Sequence, residues 1–179
     1  MNRRRLDSDA IRDSIRHISG ELDLRRPAPV IPATLDDDRV KSLELKSHFA
    51  PSQHARTIYQ PVLRANIPED WSVFDFPDPE LVTGRRTTTT VPTQALYLMN
   101  SPFIVKQSRR TAGIPIAHAS SGDAVVTAAF GRILNRAPAP DERQAAIAFL
   151  QSLGGPSDSK AAAALCQTLF ASAEFRYLY

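Results

Sequence analysis

The sequence predicts a mainly α chain: an amino-terminal helix, an irregular proline-rich centre with one or two short strands, and a carboxy-terminal three-helix bundle. Three observations predict it. Apolar residues recur at helical spacing near the amino terminus and again across residues 121–179. Between them the motifs F-D-F-P-D-P and G-R-R-T-T-T-T-V-P mix aromatics, acids, arginines and prolines with no simple period. The composition, 42% hydrophobic and 23% charged over 179 residues, is that of a globular chain with one core. The whole of 1–179 therefore reads as one module, with 25–53 as a linker or arm and 121–179 as a helical subdomain.

The first helix is expected over residues 6–19, where Ile11, Ile15, Ile18 and Leu22 stack on one face and Arg12, Asp13 and Arg16 occupy the other. Gly20 supplies its stop. Ahead of it, Arg3, Arg4 and Arg5 read either as a contact for nucleic acid or lipid or as a solvated lead-in. Asp7, Asp9, Asp13, Glu21 and Asp23 follow closely and favour the lead-in. In the linker Pro27, Pro29 and Pro32 break any helix. Asp36, Asp37 and Asp38 are consecutive with no glycine after them, so they lack the calcium-loop alternation and read as a solvated turn.

Residues 56–64, R-T-I-Y-Q-P-V-L-R, are rich in β-branched and aromatic types and predict a short or edge strand around Pro61. Pro68, Glu69 and Asp70 start a helix before Trp71. Residues 74–79 cannot be regular, because Phe76 and Asp78 each precede a proline. A helix begins near Pro92, capped by Thr90 or Val91, with Leu96, Met99 and Phe103 as its apolar stripe. Asn100-Ser101-Pro102 interrupts it, so a kinked pair is expected with Ser101 capping the second half. The bundle helices carry Val126, Phe130 and Ile133, then Ala146, Phe149, Leu150 and Leu153, then Ala162, Leu165, Cys166, Leu169 and Ala173. Pro138, Pro140 and Gly154-Gly155-Pro156 separate them, and Ser157 or Ser159 opens the last.

Several function classes are disfavoured. The single cysteine, Cys166, leaves no partner for an intrachain disulfide, a cysteine-cluster metal site or covalent haem attachment. It lies on an apolar helix face and reads as a small core residue. His17, His48, His54 and His118 show no metal-ligand spacing, and no G-x-S-x-G elbow occurs. Neither metal nor cofactor is expected. No apolar run approaches the roughly 18 residues of a membrane span. The amino terminus is basic but leads into an amphipathic helix, so it does not read as a signal peptide and the chain by itself is expected in the cytoplasm. The net charge of +3 is mild, and most of the basic residues are arginine, which favours forked pairing with carboxylates.

Asp75 and Asp78 form the one close carboxylate pair in an aromatic, proline-stiffened setting. As an acid and base, or an acid and nucleophile, they suit a hydrolase acting on glycans. Residues three apart in extended chain point to opposite sides, however. Arg56, Arg85 and Arg86 lie near in sequence and would hold both carboxylates ionised, which makes a poor general acid. The preferred reading is a structural ion-pair lattice of Arg56, Asp75, Asp78, Arg85 and Arg86, with no catalytic residue assigned. Thr87, Thr88, Thr89 and Thr90 follow two arginines and precede a helix start, a natural anion site. They serve equally as local caps of an irregular turn, and no P-loop spacing supports the anion reading. Trp71, Tyr59 and Tyr97 read as core rather than as sugar-stacking platforms.

The blocks I-R-D-S-I-R-H-I-S-G-E-L at 11–22, R-T-I-Y at 56–59, F-D-F-P-D-P at 74–79 and G-R-R at 84–86 occur in order. T-T-V-P-T-Q-A-L-Y-L-M-N-S-P-F at 89–103, I-L-N-R-A-P at 133–138 and L-F-A-S-A-E-F at 169–175 follow them. In these the chain resembles the planctomycete-type family catalogued as domain of unknown function 1553, with T-x-P-x-Q-A-L-x-x-x-N as the most specific block. It departs at Ala55-Arg56, where the family pattern has two arginines, and at 111–122, where the family continues a helix. The resemblance implies a carboxy-terminal module of large exported proteins, whose upstream domain or partner protein is not in this chain. It implies a fragment, a split gene or a short relative, and brings no established activity. The function expected is a non-catalytic structural or interaction module. The alternative is part of a hydrolase of extracellular polysaccharide using Asp75 and Asp78. Nucleic acid is not expected as a partner.

Overall fold

In a computed structural model that describes residues 3–27, 54–62, 67–118 and 121–178, with backbone alone at 115–118, seven α-helices carry the described chain. They are α1 (Ser8–Ile18), α2 (Glu69–Ser72), α3 (Pro92–Asn100), α4 (Pro102–His118), α5 (Gly122–Leu134), α6 (Pro140–Ser152) and α7 (Ser159–Ala171). The mainly α class is therefore correct. Apart from 25–27, the expected linker at 25–53, with Asp36, Asp37 and Asp38, lies outside the described residues.

The strands fall elsewhere than the sequence suggests. β1 (Arg4–Arg5) and β2 (Tyr177–Leu178) form a short antiparallel ribbon, Arg4 opposite Leu178 and Arg5 opposite Tyr177. Arg5 is thus a buried strand residue and not part of a solvated lead-in. Over its described part, 56–62 (63–64 lie outside the described residues), the expected strand of 56–64 is replaced by a 3-10 turn at Thr57–Tyr59, preceded by an isolated parallel bridge between Ala55 and Asp23. Its threonine is tied to α1 by side-chain bonds that override the β-propensity of the segment: Thr57 N and Oγ1 both donate to Asp13 Oδ1, at 2.8 and 2.6 Å.

Two apolar stripes also need correction. Arg12 and Arg16, assigned to the solvent face of α1, are buried beside Ile11 and Ile15. Leu96 and Met99, assigned to the core stripe of α3, are exposed, and the inward face is Gln94, Tyr97 and Leu98. The break between α3 and α4 is as expected: Ser101 is extended, its Oγ accepts from Phe103 N at 3.3 Å, and Pro102 opens α4. α4 then continues to His118 through the stretch that departs from the family sequence.

The core runs from Ile11 and Ile15 of α1 through Leu98, Ile104, Val126 and Leu150 to Phe170, all nearly inaccessible. α5, α6 and α7 pack on one another, and α7 also packs extensively on α4. Phe170 and Phe175 meet edge to face with centroids 5.2 Å apart, which closes the core beneath β2. Phe149 and Leu153 of the α6 stripe stay exposed, and so does Ala173.

Asp158, rather than Ser157 or Ser159, caps α7: its Oδ1 accepts from Lys160 N at 2.6 Å and Ala161 N at 3.3 Å. Asp158→Ala should cost about 1 kcal/mol in urea unfolding, the usual loss for an N-cap, with Asp158→Ser recovering most of it. A change below a few tenths would show that the helix finds another cap.

Gly20 at φ 74°, Asp75 at φ 63° and Asn135 at φ 55° end α1, α2 and α5 with positive φ, as Gly154 at φ 110° does after α6. Each stop re-aims the residues beside it. After Asn135, Arg136 grips Glu142 through two bonds of 2.6 and 2.7 Å and Glu174 through two more of the same lengths. That clamp joins the α5–α6 connection to the 3-10 turn at Glu174–Arg176.

Candidate functional site

The first charged cluster is built on the stop of α2. Gly is the common residue at a left-handed helix end, but here Asp75 takes the position, which a short polar side chain tolerates. Phe76 N donates to Trp71 O at 3.1 Å and Asp75 N to Ser72 O at 3.3 Å, the two-bond closure of a Schellman stop. The Trp71 and Phe76 rings, 4.8 Å apart, supply the apolar contact that accompanies it. This geometry turns the Asp75 carboxylate toward β1 and the segment ahead of α3.

Both of its oxygens are then occupied. Arg5 Nη1 donates to Asp75 Oδ2 at 2.7 Å and also to the Thr89 carbonyl. Thr89 N donates to Oδ2 at 2.9 Å, and Thr89 Oγ1 to Oδ1 at 2.6 Å. Burial would raise the Asp75 pKa, but the two Thr89 bonds and the Arg5 charge outweigh it and hold the carboxyl below its ordinary range. Beneath the knot lies the wholly buried Gln94, whose Nε2 donates to Thr89 O at 3.3 Å.

The second cluster is built on the stop of α1. Gly20 N donates to His17 O at 3.0 Å and Glu21 N to Arg16 O at 2.8 Å, again a Schellman closure. Glu21 is thereby folded back over α1 with its side chain only 6% exposed. Lys106 Nζ stands 2.9 Å from Oε1, Arg16 Nη1 3.5 Å from Oε2, and Arg110 Nε 3.9 Å from Oε1. Gln107 Nε2 donates to Oε2, and Gln107 Oε1 accepts from Ser19 Oγ. Burial would raise the Glu21 pKa, but the bonds from Lys106 and Gln107 and the surrounding cations bring it down to about 2. Burial, with Arg12 nearby, lowers Arg16 to about 10, and its guanidinium also sits over the Phe103 ring at 5.2 Å.

The residues singled out in the sequence are placed as follows. Asp75 meets Arg5, a residue outside the expected lattice. Asp78 is exposed and its Oδ1 accepts from Glu80 N at 2.9 Å, an Asx turn that orders the proline stretch. Arg56 Nε lies 3.6 Å from Asp13 Oδ2. Arg86 Nη1 bonds Asp9 Oδ2 at 2.7 Å and its guanidinium lies over Phe76 at 5.6 Å. Arg85 is exposed and has no ion-pair partner among the described residues. Arg85, Arg86 and Thr88 line a groove of about 560 Å³ together with Arg3, Arg4, Arg5 and Asp7, so the basic amino-terminal run and the central arginine pair share one surface.

Sequence reasoning placed Arg5 in a solvated lead-in and Thr89 in a run of turn-capping hydroxyls without pairing either with Asp75, and it gave Glu21, Lys106 and Gln107 no site role. For Glu21 a signal existed, since a charged residue directly after a helix-stopping glycine is re-aimed onto its own helix. For Arg5 there was none, as its partner lies 70 positions away.

Among the described residues no group of three or more His, Cys, Asp and Glu could hold a metal ion, and no helix is long and apolar enough to cross a membrane. A family model described as protein of unknown function (DUF1553) matches residues 1–150, and the chain belongs to that family. The resembling block at 169–175 lies beyond the matched stretch. No curated protein and no solved structure matches the chain.

Proposed function

We propose that this DUF1553 family member is a non-catalytic structural or interaction module, one unit over 1–179, that works within a larger exported assembly through an upstream domain or partner protein. The observation that carries the reading is the state of Asp75. A general acid needs a carboxyl that is protonated near neutrality, and a nucleophile needs a free oxygen facing substrate. Asp75 has both oxygens committed to Arg5 and Thr89 and a pKa held below the ordinary range. Asp78 is exposed, and its Oδ1 is engaged by its own turn. Their setting favours a rigid framework, in which Arg5 with Asp75 and Arg86 with Asp9 tie the central segment to the amino terminus. An apolar groove of about 520 Å³, lined by Met99, Phe149 and Ala171 among others, adds surface of the kind that interaction modules present.

The test pairs melting with turnover on a panel of extracellular polysaccharides. The wild-type protein should release no reducing ends, and Asp75→Asn should lower the melting temperature. Sugar release that Asp75→Asn abolishes without any change in melting would overturn the reading and install the hydrolase alternative.

A further inference from the structure

Between the Asx turn at Asp78 and the start of α3 the chain is exposed and irregular. Every residue from 80 to 93 is exposed, and 81–91 belong to no helix or strand. Among the described residues, 82–88 make no hydrogen bond through their backbone. Val82 is wholly exposed, so even the apolar side chains there are left uncovered. Arg85 stands in the middle of this stretch. An arginine-specific endoprotease needs an arginine side chain free to enter its acidic pocket and a backbone free to lie extended in its cleft. The other described basic residues each fail a requirement. Arg5, Arg12, Arg16 and Arg176 are buried. Lys106, Arg109, Arg110, Arg132, Arg143 and Lys160 lie in helices. Arg25, Arg56, Arg86 and Arg136 are held by acids. Arg4 is in β1, and Arg3 directly before it is not free. Arg26 precedes Pro27, whose tertiary amide such enzymes do not cut.

We propose that 81–91 is a processing site, cut between Arg85 and Arg86 by a trypsin-type endoprotease, and that the product stays together as a two-chain assembly. In the cut, water adds across the Arg85–Arg86 amide. Its oxygen bonds the Arg85 carbonyl carbon, the carbon–nitrogen bond breaks, and the Arg86 nitrogen takes a proton as the new amino terminus. Val82 and Leu81, three and four residues ahead of Arg85, reach the cleft upstream of the bond and gain there the burial they lack in the free chain. Arg86 serves less well as the residue before a cut, because Asp9 and the Phe76 ring hold its guanidinium. Many contacts span the cut. β1 stays paired to β2, Asp75 to Thr89, Glu21 to Lys106, and Arg132 Nε to the Ile18 carbonyl at 2.7 Å. Ile11 and Ile15 share one core with Leu98 and Ile104. Cleavage therefore removes the covalent joint between the α1–α2 part and the α3–α7 part without opening the core. This inference goes beyond the module reading and stands without it.

The test is limited digestion of the folded full chain with trypsin, read by intact mass and by size exclusion with and without urea. The comparison variant is Arg85→Ala, which removes no ion pair and should melt like wild type. Cleavage after Arg85 is expected in wild type, with cleavage inside 81–91 slowed about tenfold or more in the variant. The two fragments should co-elute in buffer and separate in urea. Protein isolated from its native source should already carry the Arg85 cut in part of the population. Cuts elsewhere that leave 81–91 whole would overturn the site. So would cleavage that moves to Arg86 at the wild-type rate in Arg85→Ala, since exposure alone would then choose the bond. Fragments that part without denaturant would overturn the two-chain product, and native protein found wholly uncut would overturn the processing.

Discussion

Glu21→Gln should destabilise the protein by about 3 kcal/mol, measured by urea unfolding at neutral pH. The variant keeps the shape of the side chain and removes the carboxylate that Arg16, Lys106 and Arg110 share. Lys106 and Arg110 are half exposed and can swing into water, so their share of the loss is small. Arg16 cannot, because its side chain is 9% exposed and boxed in by Phe103. Breaking a buried pair from one side costs about 3–5 kcal/mol, since the remaining charge stays desolvated. Linkage gives a similar size. The Glu21 pKa falls from an ordinary 4.5 to about 2 in the folded chain. A drop of that extent contributes about 3 kcal/mol. Because the folded value is depressed, that stability is present in full above about pH 4.5 and drains away as pH falls toward 2. The wild-type stability curve should therefore slope through this window and the variant's should be flatter there. A Glu21→Gln protein within about 0.5 kcal/mol of wild type would mean that the surrounding cations relax freely and the cluster is ornamental to stability.

The helices were legible because their signals are local. The periodicity of Ile11 and Ile15, the stop at Gly20, the Ser101-Pro102 restart and the Val126, Phe130, Ile133 stripe all lie within a few residues of what they determine. The polar face of α1 was misread for a physical reason. Arginines on a helix are solvated by default, and their burial depends on Asp70 and Thr57 reaching Arg12 from far along the chain and on Glu21 folding back onto Arg16 after the Gly20 stop. The 56–64 strand failed on the same count, because the acceptor that captures Thr57 is Asp13 of α1. In the candidate site the sequence supplied Asp75 as the pivotal acid and an arginine as its kind of partner, yet the partner itself comes from the other end of the described chain. What was not visible is that an aspartate can stand in for glycine at a left-handed helix stop. That substitution sets where the carboxylate points.

Asp75→Asn isolates that point, because asparagine tolerates the left-handed region as well as aspartate does and the α2 stop should survive. What the variant loses is the charge opposite Arg5, whose side chain is 4% exposed, and one of the two carboxylate oxygens that accept separately from Thr89 N and Thr89 Oγ1. We expect a loss of about 3 kcal/mol, from the uncompensated guanidinium together with a Thr89 donor left facing an amide. Adding Arg5→Met should recover part of it, since a neutral apolar residue no longer needs the anion. The resulting coupling between the two positions should exceed about 1 kcal/mol in a double-mutant cycle. The pH sign is fixed by the direction of the shift. The Asp75 pKa is depressed on folding, so its contribution is complete above the ordinary carboxylate range and disappears as pH drops through the folded value. Wild type and Asp75→Asn should converge in stability under acid and diverge at neutral pH. Parallel curves at every pH, or additive single losses in the cycle, would show that Arg5 and Asp75 meet without depending on one another, and the rigid-framework reading of the centre would fall with them.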